Sequence, residues 1–397
     1  MIIEAAQRTN TVAEYYFSTK LREIEQQRRQ GKKVLNLGIG NPDLMPSENV
    51  IQEIRNQSHL EGSNGYQSYT GLQELREAFA AWYQKYFSVK LNPNGEILPL
   101  MGSKEGIMHV SMAFLNPGDG VLVPNPGYPA YGAVTRLVGA QPMEYNLKLE
   151  NGWLPDFNKL EEMDLTGVKL MWVNYPHMPT GTQATEELFG KLVDFAKRKS
   201  ILICNDNPYS FILNDQPLSI LSVEGAKDVA IELNSLSKSH NMAGFRIGMV
   251  AGDSEYLNHI LKIKSNMDSG MYKPIQLAAV KALQNPPCWY DSINDEYKER
   301  RKLAASLFNS LGLEYDDKQA GLFLWGRIPF DFFDSYAFSD CLLKNYSLFI
   351  TPGSIFGSNG SRYTRISLCS SREVFKEAIS RINQIIELNK SEVKLCG

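Results

Sequence analysis

The chain has 397 residues, with 41 Lys and Arg against 44 Asp and Glu, a formal charge of −3. So near a balance excludes a nucleic-acid binder driven by phosphate attraction over the whole chain. A composition of 43% hydrophobic and 21% charged residues excludes disorder, and the length suits two domains or one large domain with a smaller companion.

Residues 11–30 read as a charged amphipathic helix. Apolar or β-branched runs at 97–101, 120–123, 168–174, 201–205, 229–233 and 247–251 read as strands. Helices fall between them at 104–115, 129–138 and 185–199; in the last, Leu188, Leu192 and Phe195 share one face, with Phe189, Val193 and Ala196 beside it. This alternation argues for the α/β class with a mainly parallel, doubly wound sheet. The pattern changes near 285, where Gln284-Asn-Pro-Pro287 breaks a helix. A long charged helix over 289–311 follows, then short strands at 322–327, 347–350 and 363–368, and a final helix over 371–388. The division expected is an N-terminal arm over 1–47 that belongs partly to the small domain, a large domain over 48–285, and a smaller α+β domain over 286–397.

Five cysteines are scattered, odd in number and without a CxxC pair. No disulfide framework is expected, and a reducing compartment, the cytoplasm, is the default. Glu4 and Arg8 interrupt any signal-peptide core, and no run of 18 apolar residues offers a membrane span. The five histidines show no metal spacing, so no metal is expected.

The stretch Ser235-Leu-Ser237-Lys238-Ser-His-Asn-Met-Ala-Gly-Phe-Arg246-Ile-Gly248 carries the most chemistry. A lysine at a strand end, among small residues, projects into the crevice at the carboxyl edge of a sheet, where ligands bind in open α/β folds. Two serines and Arg246 offer hydroxyls and a fork of donors to a dianion. The bland reading of Lys238 is a solvated loop charge. Ser235-x-x-Lys238 also fits the S-x-x-K of penicillin-recognising acyl enzymes, but the S-D-N and K-T-G that class requires occur nowhere.

The whole stretch resembles the Schiff-base lysine signature of the class I/II pyridoxal-phosphate aminotransferases, fold type I. Other landmarks stand in that family's order: Gly38-Ile-Gly40-Asn41-Pro-Asp43, Tyr66 through Arg76, Gly102-Ser103-Lys104-Glu105-Gly106, Pro126-Gly-Tyr128-Pro-Ala-Tyr131, Pro179-Thr-Gly181, Asp206-Asn-Pro-Tyr209 and Arg365-Ile-Ser367. The resemblance spans about residues 11–390. It implies pyridoxal 5′-phosphate as cofactor and ping-pong transfer of the α-amino group of an L-amino acid to a 2-oxo acid. The implied substrates are of the aspartate, alanine, methionine or LL-diaminopimelate kind. A β-lyase of the C–S lyase type, or a related synthase, is the alternative on the same fold; a non-catalytic cofactor-binding module is the more distant one.

The resemblance also implies roles. Lys238 bonds the cofactor aldehyde, then carries a proton between substrate Cα and cofactor C4′. Asp206 keeps the pyridine nitrogen protonated, and Tyr209 donates to the phenolic O3′. Gly102, Ser103 and Lys104, at a positive helix end, hold the phosphate with Ser235, Ser237 and Arg246. Tyr128 stacks on the ring. Tyr66 reaches the phosphate of a neighbouring subunit, which requires a symmetric homodimer; Tyr69 is a second candidate for that role. Arg365 takes the substrate carboxylate beside Asn41 and the amides around Gly38 and Gly40, and Tyr15 and Tyr16 gate the pocket.

One position departs from the family, which usually reads Asn-Pro-Thr-Gly and uses that Asn as a donor to O3′. Here the segment is Asn174-Tyr-Pro-His177-Met178-Pro-Thr-Gly. A thioether is only a weak acceptor, so O3′ loses a donor. Asn174 and His177 are the nearest polar replacements.

Overall fold

The computed structural model describes residues 3–388. Strand β1 (Leu35–Asn36) precedes seven strands that form the main sheet: β2 (Ile97–Leu100), β3 (Gly120–Asn125), β4 (Gln141–Asn146), β5 (Val168–Val173), β6 (Leu202–Asp206), β7 (Ala230–Ser235) and β8 (Gly248–Ala251). Their order across the sheet is β2-β8-β7-β6-β5-β3-β4. Only β8 runs against its neighbours; the other pairings are parallel. Helices cover the sheet, which is why its central strands read as unbroken apolar runs: in Val168-Lys-Leu-Met-Trp-Val173 only Lys169 is exposed.

The helix Glu186–Lys199 shows how locally this is written. The Thr185 hydroxyl caps its start by accepting from the Leu188 amide, and Ser200 ends it in the left-handed region. Its apolar face, Leu188 to Ala196, is buried as the spacing predicts. The first helix starts later than expected, at Tyr16, because Tyr15 takes an extended conformation after a 3₁₀ turn over Gln7–Thr11.

In a parallel sheet the carboxyl ends of the strands share one edge. The residues that leave that edge are Tyr128 after β3, Asn174 and Met178 after β5, Asp206 at the end of β6, and Ser235 to Lys238 after β7. Topology alone therefore gathers most of the expected site at one crevice.

A second, antiparallel sheet has the order β12-β13-β10-β9, built from β9 (Glu314–Tyr315), β10 (Phe323–Arg327), β12 (Thr351–Pro352) and β13 (Tyr363–Ser367); β11 (Leu348–Phe349) pairs instead with β1. Arg300, on the helix Pro287–Ser310, is buried and donates to both carboxylate oxygens of Asp43 (2.6 and 3.0 Å) and to Glu296 (2.8 Å). Glu296 also accepts from Arg372 at 2.6 Å. This chain of charges fastens the Asn41–Asp43 turn to two helices of the C-terminal part.

Among the described residues no helix is long and apolar enough to cross a membrane. Cys204, Cys288 and Cys369 are free thiols, and Cys341 is disulfide-bonded, which is one bridge and not a framework.

Candidate active site

A cavity of about 310 Å³ opens at the carboxyl edge of the main sheet. Every expected site residue lines it except Gly102, Asn41, Tyr66, Gly38, Tyr16 and the second candidates Tyr69 and His177. Gly102 lies directly beneath Arg246: a Cβ there would strike the guanidinium, and its φ of +87° is open to glycine alone at little cost. Asn41 is exposed, although Gly40 beside it lines the cavity. Tyr66 is 92% exposed and stands apart, beside Gln67 and the segment Ser269–Tyr272.

Ser235 ends β7 and caps the short helix Leu236–Ser239, its hydroxyl accepting from the Ser237 amide at 3.2 Å. That turn aims Lys238 into the cavity, where its ammonium donates to the Gly40 carbonyl at 2.6 Å. Behind it, Ser239 Oγ and His240 Nδ1 share a hydrogen bond (2.8 Å), and His240 Nε2 meets the Tyr290 hydroxyl (2.8 Å). Burial holds the His240 pKa near 3, so this anchor stays neutral. Burial, with Arg365 and Arg246 adding to it, pushes the Lys238 amine below the ordinary lysine value. An amine so placed gives up its proton readily and serves as nucleophile or base.

Asp206 forms the floor. Tyr131 donates to its Oδ2 at 3.0 Å, while Oδ1 is buried with no hydrogen-bond partner. Burial raises its pKa to about 6, against the pull of the Tyr131 and Ser103 hydroxyls. A buried carboxylate with a bare oxygen is costly unless a cationic or N–H donor arrives.

Cations gather at one end. The helix Ser103–Phe114 points its N-terminus at the cavity. Arg246 donates to the carbonyls of Ala243 (3.0 Å) and Met101 (3.2 Å) and to Ser237 Oγ (3.4 Å), and Ser235 Oγ donates to Ser237 Oγ (2.8 Å). The Lys104 ammonium sits 4.5 Å from the centre of the Tyr15 ring. Amides at a helix end, two serines and two cations make a cradle suited to a dianion.

At the other end Arg365, 4% exposed, lies over the Phe323 ring at 3.8 Å. It donates to the Gly38 carbonyl (2.9 Å) and to Met178 Sδ (3.2 Å), and its Nε has no partner. Burial lowers its pKa to about 10, with no carboxylate among the described residues to pair with it. A planar cation held this way invites a carboxylate ligand.

Met178 therefore faces Arg365 and accepts from it. Asn174 lines the cavity with both ends of its amide engaged, donating to the Asp206 carbonyl and accepting from the Met178 amide (2.8 Å). His177 does not line the cavity; its Nδ1 meets Thr180 Oγ1 at 2.8 Å.

The family model of the class I and II aminotransferases matches residues 32–382. The LL-diaminopimelate aminotransferase of Natranaerobius thermophilus is 38% identical over 382 residues, covering 96% of this chain and 99% of that one. That of Aquifex aeolicus is 39% identical over 386 residues, covering 97% and 100%. The substrate-bound structure of BacF from Bacillus subtilis superposes with a TM-score of 0.92 at 34% identity, covering 96% of this chain and 98% of its own.

The chain belongs to the class I and II aminotransferase family. It is an aminotransferase, and the β-lyase alternative is not favoured. Against that background, two contacts escape a reading of the sequence. Tyr131 holds Asp206 from the first turn of the helix Pro129–Leu137, three residues beyond the N-cap Tyr128. Gly38, expected beside the substrate carboxylate through its amide, instead accepts from Arg365 through its carbonyl, for which no side-chain signal exists.

Outside the cavity, Glu105, His109 and Asp268 bring ligand-type atoms within 4.8 Å of one another, although histidine spacing suggested no such group. The Lys264 ammonium lies 2.8 Å from Asp268 and supplies positive charge there.

Proposed function

We propose that this aminotransferase works with pyridoxal 5′-phosphate bound in the cavity, as a cytoplasmic homodimer with the domain division 1–47, 48–285 and 286–397. The observation that carries the reading is the bare, buried Oδ1 of Asp206 on the cavity floor, across from an amine of lowered pKa. Such an oxygen suits a protonated ring nitrogen, and the cradle around Arg246 suits a phosphate. When bound, the cofactor supplies an aldehyde for an amine and a ring that accepts the electron pair left at substrate Cα.

Each residue then has a task. Asp206 keeps the ring nitrogen protonated, and Tyr131 orients the carboxylate. Gly102, Ser103, Lys104, Ser235, Ser237 and Arg246 hold the phosphate. Tyr128 packs on the ring and Tyr209 donates to O3′, a task made heavier by Met178. Arg365 grips the substrate carboxylate with Gly40 and Asn41 nearby, and fixes which Cα–H faces Lys238. Lys238 would supply the amine for the cofactor aldehyde and, as a free amine, would be placed to move the proton of substrate Cα. Tyr15 narrows the entrance. Tyr66, too exposed to serve its own cavity, completes the partner's phosphate site in a two-fold dimer.

The experiment is to reconstitute the purified chain with the cofactor and add single amino donors. Amino transfer leaves pyridoxamine phosphate; elimination leaves pyruvate and ammonia, which would overturn the reading. Sedimentation of the holoenzyme as a monomer would overturn the dimer.

A further inference from the structure

The space around Arg365 has a distinct chemistry. Its wall comes from Tyr15, Phe17, Leu21 and Ile39 of the N-terminal arm and from Phe356. The Phe17 and Phe356 ring centres lie 5.5 and 4.8 Å from the Arg365 guanidinium carbon. Phe17 also packs on Tyr15, with centroids 5.5 Å apart. A substrate whose carboxylate is on Arg365 therefore meets rings and aliphatic groups beside it.

Charge reinforces the point. The cavity lining holds four cations, Lys104, Lys238, Arg246 and Arg365, and a single carboxylate, Asp206 on the floor. The nearest acid of the arm, Glu14, is already bound by both oxygens to Arg22 and does not line the cavity. The surface around Tyr66, which a partner would contribute, is made of Asn64, Gly65, Gln67 and Ser269–Tyr272 and contains no carboxylate. Cofactor and substrate would engage those cations, so what counts is the missing acid: a second ammonium on the substrate would meet rings and aliphatic groups, with no carboxylate in the lining beside them to receive it.

We propose that the side-chain subsite takes an uncharged apolar or aromatic amino-acid side chain and rejects one that ends in an ammonium. This rests on the proposed function, since it assigns Arg365 to the α-carboxylate. It separates the chain from its LL-diaminopimelate aminotransferase relatives, whose named substrate ends in a second ammonium and a second carboxylate, neither of which suits an apolar wall.

The test uses holoenzyme reconstituted with pyridoxal phosphate. Single-turnover loss of visible absorbance is followed with L-phenylalanine, L-leucine, LL-diaminopimelate and L-lysine. In parallel, calorimetry on the pyridoxamine-phosphate form of the enzyme, which offers no aldehyde to an amine, compares two carboxylates, 3-phenylpropionate and 6-aminohexanoate. The apolar donors are expected to exceed the diamino donors by about 100-fold in kcat/KM, the scale on which a pocket separates a fitting side chain from a misfit. 3-Phenylpropionate is expected to bind at least about tenfold tighter than 6-aminohexanoate, and Phe17→Ala to weaken it by a similar factor. Turnover of LL-diaminopimelate or lysine within tenfold of phenylalanine, or equal binding of the two carboxylates, would overturn the proposal. Failure of every donor would instead count against the proposed function, while the calorimetry still judges the subsite.

Discussion

The ammonium of Lys238 and the carbonyl of Gly40 meet at 2.6 Å. Two residues earlier the Gly38 carbonyl accepts from Arg365 at 2.9 Å. One short loop thus holds two of the four cations of the site. Its glycines are required by space: a Cβ on Gly38 would strike the Phe349 ring, and one on Gly40 the Phe323 ring. Gly40→Ala is expected to cost about 1–3 kcal/mol of stability through overpacking and to lower kcat/KM as the loop shifts. Urea unfolding and steady-state kinetics of the variant check this; an unchanged midpoint and rate would refute it.

The same loop is anchored at Asp43 by Arg300. Arg300→Ala leaves Asp43 and Glu296 without their shared partner, and about 3 kcal/mol of stability is expected to go, the lower end for a broken buried pair because Asp43 keeps some contact with water. KM for amino donors is expected to rise as Gly38 loosens its hold on Arg365. Wild-type stability and KM together would contradict the anchoring role.

Asp206 links the site to pH. Its carboxyl titrates near 6 when folded, against 3.8 as the ordinary value. The folded chain therefore binds the extra proton between those values, and the cofactor-free protein loses stability as pH rises from about 4 through 6. Asp206→Asn removes that loss, so the cofactor-free variant is expected to be more stable at pH 8 by up to about 3 kcal/mol, and unchanged below pH 4. Urea unfolding at both ends of the range decides it; a variant less stable at pH 8 would count against the account. The same substitution is expected to weaken cofactor binding.

Much of this was legible from residue order. Buried parallel strands announce themselves as apolar runs, and the strand ends carry Asp206 and Ser235 to the crevice. β4 was missed because Gln141-Pro-Met-Glu-Tyr-Asn146 lies at the sheet edge, where Pro142 and exposed polar residues are tolerated. The helices Glu48–Ser58, Gln73–Phe87, Ser254–Lys264 and Ser335–Tyr346 were also missed, while Lys273–Leu283 ends where Gln284-Asn-Pro-Pro287 was expected to break a helix. Each missed helix mixes apolar and polar residues, so no clean helical stripe marks it. The cavity wall of Phe17, Leu21 and Ile39 was illegible for another reason: single apolar residues on an arm announce burial, not which cavity they face.

Met178 offers a direct probe of O3′. Met178→Asn restores a donor there and removes the thioether from Arg365. The pH titration of the holoenzyme's visible absorbance is expected to move to lower pH, because a hydrogen bond to the ionised oxygen favours it. A titration that does not move would mean O3′ is satisfied by Tyr209 alone.

Arg365→Ala is expected to weaken the binding of both amino and oxo acids by about 2–5 kcal/mol, the scale for removing one partner of a buried charged pair. Titration with unreactive carboxylates measures this without turnover. Equal affinity in variant and wild type would remove Arg365 from carboxylate recognition.

The central claim is a covalent link between cofactor and Lys238. Borohydride reduction of the holoenzyme, followed by digestion and mass measurement, tests it most directly. The account predicts the cofactor's added mass on the peptide that carries Lys238 and on no other; the same mass on another lysine, such as Lys104, or on none, would contradict it.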